Sequence, residues 1–259
     1  MRSTGKTLLP AFGHLRPDQI TVQDCRDYGQ QRMDAGKSQG TVWTELGHLR
    51  IVLNWAAKKG LIEKAPLIEL PPKPAPKDRY LTRAEAIRLV NAEAEPHVQL
   101  AIKLMLGTAG RQGAILDLTW DRVDFRRHTI DLRVEGGGPR KGRALVPMNP
   151  MLHEALTEAK AAALSDYVIE WHGKKVQSIR KGFSRAVANA GLKDVGMHTL
   201  RHTAAVHMVE GGTDIAEVAQ FLGHSNPSIT FRVYARYSPT HLRRAASILD
   251  FSVGSEKSR

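Results

Sequence analysis

The 259-residue sequence predicts a mainly α-helical α+β protein with a small antiparallel β-sheet. Three observations lead there. Apolar residues recur at spacings of three and four along most of the chain. The period shifts to that of strands over about 123–147, where glycine and proline interrupt a run of β-formers. A proline-rich stretch (Pro66, Pro71, Pro72, Pro74 and Pro76) cannot join a helix, and 66–78 reads as a linker between two domains of unequal size.

Residues 1–65 read as a small helical domain that opens abruptly, its first helix short or missing. Thr21 caps a helix running through Asp24 and Tyr28 to Met33, stopped at Gly36. Ser38 or Thr41 opens the next, with Val42, Leu46, Leu49, Leu53 and Ala57 on one face. Lys58, Lys59 and Gly60 close it, where cations suit the negative end of the helix. After the linker, Thr82-Arg83-Ala84-Glu85 is a capping box for a helix carrying Ile87, Leu89 and Val90. Pro96 begins another, with Val98, Ile102, Met105 and Leu106 on one side. Arg111 to Leu118 is a short helix behind Gly110. Val123, Phe125, Ile130, Leu132 and Ala144-Leu145-Val146-Pro147 supply the sheet, with a basic turn at Arg140-Lys141-Gly142-Arg143. Helices resume at about 150–164, 177–190, 198–210, 214–222, 226–236 and 239–249, and Tyr167 to Trp171 reads as a short strand. The second domain therefore spans 79–251, followed by a polar tail, 252–259.

Lys and Arg number 38 against 26 Asp and Glu, a formal net charge of +12. Such an excess favours a polyanion, most commonly nucleic acid; a merely basic soluble protein is the plain alternative. With 25% charged and 42% apolar residues the composition is globular rather than disordered. The single cysteine, Cys25, excludes an intrachain disulfide and a multi-cysteine zinc site, and reads as a small buried hydrophobe. No apolar run nears the roughly 20 residues that span a bilayer. Leu8-Leu9-Pro10 is no signal-peptide core, so a cytoplasmic location is expected.

Chemistry concentrates near the C-terminus. His198-Thr199-Leu200-Arg201-His202 is followed by Leu222-Gly223-His224 and Tyr234, with Arg111 far upstream. This set suits work on a phosphodiester without a metal. Arginines hold non-bridging oxygens, histidines move protons or donate hydrogen bonds, and a tyrosine oxygen attacks phosphorus. Each residue alone has a plainer reading. Arg111 is then a surface arginine, Lys141 a solvated turn, His198 a helix cap, His224 a turn histidine and Tyr234 a core aromatic. His198 and His202 have the spacing of a zinc pair, but Thr199 replaces the glutamate of His-Glu-x-x-His and no third ligand is evident. Arg201 is harder to dismiss, because a guanidinium among Leu200, Ala204, Ala205 and Val206 needs an anion or a network. Thr108-Ala109-Gly110 sets Arg111 at a helix start, which is a natural phosphate site. Gly223 suits a left-handed cap that leaves His224 at an exposed corner.

The arrangement resembles the tyrosine recombinase (phage integrase) family. The resemblance is carried by Thr108 before Arg111, Leu118-Thr119-Trp120 after it, a hairpin lysine upstream of Val146-Pro147, His198-x-x-Arg201, Leu222-Gly223-His224, and Tyr234 followed by Ala235-Arg236. It covers about 80–250 and extends loosely to 10–65. Ala109 stands where glycine is usual, and Ala114 where an acidic residue is usual.

The resemblance implies an integrase-like catalytic domain preceded by a small helical core-binding domain, together clamping duplex DNA. It implies a site-specific DNA recombinase in which Tyr234 attacks the scissile phosphate, giving a 3′-phosphotyrosyl link and a free 5′-hydroxyl. Arg111, Arg201 and His224 stabilise the pentavalent phosphorus. Lys141 protonates the leaving oxygen, with Arg140 as the fallback, and His198 assists proton movement. His202 supports the site, and Tyr237 ranks below Tyr234. No cofactor, ATP or divalent metal is implied. The expected partner is double-stranded DNA, bound by a tetramer on two sites, with a monomer as the state without DNA. The tail 252–259 either docks on a neighbouring subunit or ends as a polar terminus. The alternative is a catalytically weakened relative that holds DNA as a binding module; a topoisomerase-like relaxing activity is a third reading.

Overall fold

The computed structural model describes residues 2–75, 78–133, 144–224, 226–238 and 243–249. The protein is mainly helical with two small antiparallel sheets, the class the sequence predicts. The chain divides into two compact units, Met1–Lys77 and Asp78–Arg259. No helix among the described residues is long and apolar enough to cross a membrane.

The first unit contains α1 (Arg2–Phe12), α2 (Val22–Asp34) and α3 (Gln39–Lys58). Helix α1 fills the stretch expected to hold a short or missing helix. Gly5 and Pro10 disguise it, since both weaken a helix interior. Leu8 and Phe12, one turn apart, drive it into the core, with Phe12 packed 5.2 Å from the Tyr28 ring. Thr21 and Asp24 cap α2 reciprocally, and Ser38 rather than Thr41 caps α3. Cys25 is buried.

A buried carboxylate ties α2 to α3. Glu45 accepts from Arg32 Nε at 3.0 Å and Nη2 at 2.8 Å, and from the Tyr28 hydroxyl at 2.8 Å. Burial and that hydrogen bond push the Tyr28 phenol up to about 12. Glu45→Ala leaves both donors without their acceptor. It should destabilise this unit by about 2 kcal/mol, read as an earlier unfolding transition in a urea titration.

The proline-rich stretch lies along the first unit as far as residue 75. Ile68 is buried in that unit's core and Leu70 packs beside it. Arg26 clasps Glu69 at 2.6 and 3.0 Å, and Gln39 Nε2 donates to the Pro72 carbonyl at 2.9 Å. The two apolar residues set this path, while the prolines only forbid helix.

The second unit holds α4 (Arg83–Val90), α5 (Pro96–Thr108) and α6 (Gln112–Leu116), then β1 (Val123–Asp124), β2 (Thr129–Asp131) and β3 (Leu145–Pro147). Helix α7 (Pro150–Ala161), the hairpin β4 (Glu170–Trp171) and β5 (Lys174–Lys175), and α8 (Arg180–Asn189) follow. The remainder comprises α9 (Met197–Glu210), α10 (Ile215–Leu222), α11 (Pro227–Tyr234) and α12 (Arg243–Ile248). The sheet order is β1-β2-β3, with Val123 opposite Ile130 and Ile130 opposite Val146. The basic turn with Arg140, Lys141 and Arg143 lies outside the described residues. The strand expected over 167–171 is shorter: β4 begins at Glu170, and Tyr167 only bridges to Thr119.

Helix α5 runs through the core. Ala101, Ile102, Leu104 and Met105 are fully buried, and α5 packs against both α7 and α9. The approach to α7 is close, because a Cβ on Gly107 would stand 2.7 Å from Leu152 Cδ1. Helix α9 is also buried on several sides, through Leu200, Ala205 and Val206. The C-terminal end of α5 and the middle of α9 therefore meet in the interior, and the candidate site is built where they meet.

Candidate active site

Helix α5 ends at Ala109, which adopts a left-handed conformation at φ 52°. Thr108 Oγ1 donates to the Leu104 carbonyl at 2.6 Å and accepts the Gly110 N–H at 3.1 Å. A Cβ at Gly110 would fall 2.7 Å from Ile115 Cδ1 and 2.9 Å from Thr108 Oγ1, so any larger residue there would have to push these side chains aside. The turn leaves Arg111 as the N-cap of α6, half-buried. Ala114, at the position where the resemblance expects an acid, is buried in the core of the unit.

The turn also exposes the Ala109 carbonyl to α9. Arg201 is 3% exposed. Its Nη1 donates to that carbonyl at 2.8 Å, and its Nη2 donates to the Leu222 carbonyl at 2.8 Å. Nη2 also lies 3.0 Å from His224 Nε2. One guanidinium thus ties the ends of α5 and α10 to the middle of α9. Burial and the nearby Arg111 charge lower its value to about 10, opposed by Tyr234, so it stays charged at neutral pH. A guanidinium has five N–H groups, and three are used here. Among the described residues no carboxylate pairs with it.

Gly223, at φ 66°, ends α10 with its N–H on the Gln220 carbonyl and the His224 N–H on Ala219. The sequence places His224 at an exposed corner. It is instead half-buried, because both ring nitrogens are engaged: Nε2 by Arg201, and Nδ1 by Thr230 Oγ1 at 2.7 Å. Arginine only donates, so Nε2 accepts and the ring proton sits on Nδ1, donated to Thr230. Burial, then Arg201 and Arg111, bring His224 down to about 4.

That shift has a definite sign. The unfolded ring keeps a value near 6.5 and the folded one lies near 4. Between them the unfolded chain binds a proton that the folded chain refuses. The stability contributed is complete above about pH 6.5 and falls as the pH drops toward 4. An NMR titration of the His224 ring should therefore have its midpoint near pH 4, and His224→Asn should flatten the acid side of the Tm–pH curve.

Tyr234 ends α11 and is 7% exposed. Its hydroxyl lies 3.3 Å from His202 Nδ1, with the two rings 5.3 Å apart. Burial raises the phenol above its ordinary value, and Arg201 opposes that rise. Tyr237, one turn on, has its hydroxyl pinned: it donates to Asp78 Oδ1 at 2.9 Å and receives Arg236 Nη2 at 3.0 Å. His198 lies at the exposed start of α9, held below its ordinary value by partial burial and by the Arg201 and Arg111 charges.

Of the six residues singled out from sequence, five gather around Arg201 and Tyr234: Arg111, His198, Arg201, His224 and Tyr234. Lys141 lies outside the described residues. Sequence reasoning missed Asp78 and Thr230, and gave His202 only a supporting part. Asp78 sits beyond a proline run, and nothing local marks it; its proximity to α9 is a tertiary fact.

The phage integrase family model matches residues 79–241. The chain belongs to the phage integrase family. This recombinase is 30% identical over 228 residues to the tyrosine recombinase XerC of Rhizobium meliloti (strain 1021), covering 80% of this chain and 70% of that protein. It is 27% identical over 255 residues to the integrase of Salmonella phage P22, covering 89% of this chain and 63% of that one. Among solved structures, the Tn1549 transposon integrase in complex with transposon right end DNA matches with a TM-score of 0.74 at 18% identity, covering 96% of this chain and 93% of that chain. A lambda integrase dimer bound to a core site matches with a TM-score of 0.69 at 18% identity, covering 88% and 87%. At those identities the structures speak for the fold. Family membership makes the recombinase an enzyme of site-specific DNA strand exchange.

Proposed function

We propose that Tyr234 is the nucleophile that attacks a DNA phosphate, and that Arg201 and Arg111 hold that phosphate. The observation that carries the reading is the Arg201 guanidinium, buried and charged with no carboxylate partner among the described residues. A buried cation of this kind calls for an anion. A phosphate oxygen can take the remaining N–H groups of the fork, and Tyr234 is near enough to Arg201 for their charges to interact. Attack forms the bond from Tyr234 Oη to phosphorus and breaks the bond to the 5′ oxygen. Each donor on the pentavalent state contributes about 3 kcal/mol. Lys141 is assigned the proton for the 5′ oxygen, a task arginine performs poorly because its pKa is too high. The link conserves the bond energy, so resealing needs no external energy source.

His224 has a further condition. Its Nε2 accepts from Arg201, so it donates to phosphate only after taking a second proton or exchanging its ring proton between nitrogens.

Exchange between two duplexes cleaves four strands, and each chain offers one such tyrosine. We therefore assign the working assembly as a tetramer on two double-stranded DNA sites, with a cytoplasmic location where that DNA lies. The test is covalent capture. The full chain is mixed with sheared genomic DNA of the organism that encodes it, quenched in detergent, and the protein-linked fragments are sequenced. One recurring sequence with protein on a 3′ end is the expected result. DNA retained before the quench, with no linked fragment after it, supports the binding-module alternative instead.

A further inference from the structure

His202 carries chemistry that these roles leave unused. Its Nδ1 faces the Tyr234 hydroxyl at 3.3 Å, and its Nε2 is buried without a hydrogen-bond partner among the described residues. Asp78 Oδ1 stands 3.8 Å from that Nε2, within ion-pair reach but beyond a hydrogen bond. Asp78 is fixed in place. Its carboxylate takes the Arg236 guanidinium and the Tyr237 hydroxyl. The backbone just after it is stitched to α9: the Leu81 N–H donates to Thr203 Oγ1 at 2.9 Å, and His207 Nε2 donates to the Leu81 carbonyl at 2.8 Å. The Tyr80 ring meets His202 edge-on, with centroids 6.3 Å apart.

We propose that His202 is the base that takes the phenolic proton of Tyr234, and that Asp78 is the positioning residue that sets its tautomer. This rests on the reading of Tyr234 as nucleophile. A neutral imidazole carries its proton on one nitrogen only. A proton on Nδ1 would turn the Nε2 lone pair toward the Asp78 carboxylate, which is unfavourable. A proton on Nε2 is favoured by that carboxylate and leaves Nδ1 to accept from the Tyr234 O–H. The division of labour is that of a Ser-His-Asp triad with a phenol in place of the hydroxyl.

The step balances. As Oη bonds to phosphorus, its proton passes to His202 Nδ1. The electron pair of the broken bond goes to the 5′ oxygen, which is protonated by a separate acid. On resealing, the 5′-hydroxyl attacks and gives its proton back to the separate acid, the tyrosine oxygen leaves, and His202 returns its proton to that oxygen.

The surroundings suit a base. The groups facing the ring are Asp78 and Tyr80 from the start of the unit, His198 on α9, Tyr234 on α11, and Arg236 and Tyr237 in the following turn. Burial lowers His202 below its ordinary value; Asp78 opposes this, and His198 and Arg236 add to it. The ring is thus neutral at neutral pH, while the buried phenol holds its proton until attack.

The test uses the full chain and a DNA fragment recovered by covalent capture. In the wild type, adduct formation rises with pH and levels off once His202 is neutral. His202→Ala should slow it by about 100-fold or more and remove the plateau, so that the rate keeps rising toward tyrosine ionisation. Asp78→Asn should slow it roughly tenfold or more, with the adduct still on Tyr234. His202→Ala with unchanged rate and pH profile overturns the proposal. Long-range 1H–15N NMR of the wild-type histidines reads the tautomer without any variant or DNA: Nε2–H supports the proposal and Nδ1–H overturns it. A wild type that forms no adduct on any DNA instead refutes the nucleophile reading, and the tautomer still decides the pairing of His202 with Asp78.

Discussion

Tyr234→Phe should form no covalent adduct with DNA while still binding it. The substitution removes one oxygen and keeps the ring that fills the space among Ala109, Ala205, Val218 and Leu222. Among the described residues the lost contact is one hydrogen bond at 3.3 Å to His202, a cost to folding of about 1 kcal/mol or less. Folding and DNA retention therefore persist, and only the atom that bonds to phosphorus is gone. Tyr237→Phe is the matched control. It releases Asp78 from one of its donors, yet leaves the Tyr234 hydroxyl in place, so adducts still form. Detergent gels of both variants with the captured fragment separate the two tyrosines. An adduct of unchanged yield with Tyr234→Phe would reject it as the nucleophile.

Arg201→Ala is expected to fail in two separable ways. Removing the guanidinium strands the Ala109 and Leu222 carbonyls in the interior and frees His224 Nε2. Each stranded carbonyl costs about 1–3 kcal/mol, so the thermal midpoint should fall clearly. Catalysis loses a transition-state donor, a further loss of about 100-fold or more in cleavage rate. Arg201→Lys separates the effects. Lysine keeps the charge but cannot reach two carbonyls, a histidine and a phosphate together. Its cleavage rate should fall by about 100-fold even at temperatures where the variant is folded. Recovery of wild-type cleavage by lysine would mean that charge alone matters and the fork geometry does not.

The helices of the second unit were legible because their apolar residues repeat and their caps are local. Thr82 with Glu85, and Gly223 after Leu222, mark ends by contacts within four residues. Helix α1 was not legible, since Gly5 and Pro10 argue against it locally and only tertiary burial of Leu8 and Phe12 decides for it. Within the site, 111, 198, 201, 224 and 234 stood out through the motifs that carry the family resemblance, and the fold brings these five near one another. What each nitrogen does was not. The acceptor state of His224 depends on Arg201, 23 residues away. The link from Tyr234 through His202 to Asp78 joins groups 32 and more than 100 positions apart. Ala109 shows the same limit from the other side: its left-handed backbone is what aims its carbonyl at Arg201, and its side chain gives no sign of it.

Mapping the adduct shows whether Tyr234 itself becomes bonded to DNA. The adduct is digested with nuclease and trypsin, and the nucleotide-bearing peptide is identified by mass spectrometry. Cleavage after Arg232 and Arg236 isolates Val233-Tyr234-Ala235-Arg236 from the peptide that begins at Tyr237. The nucleotide should be found on the peptide containing Tyr234. Nucleotide on the Tyr237 peptide, or on any other, contradicts it.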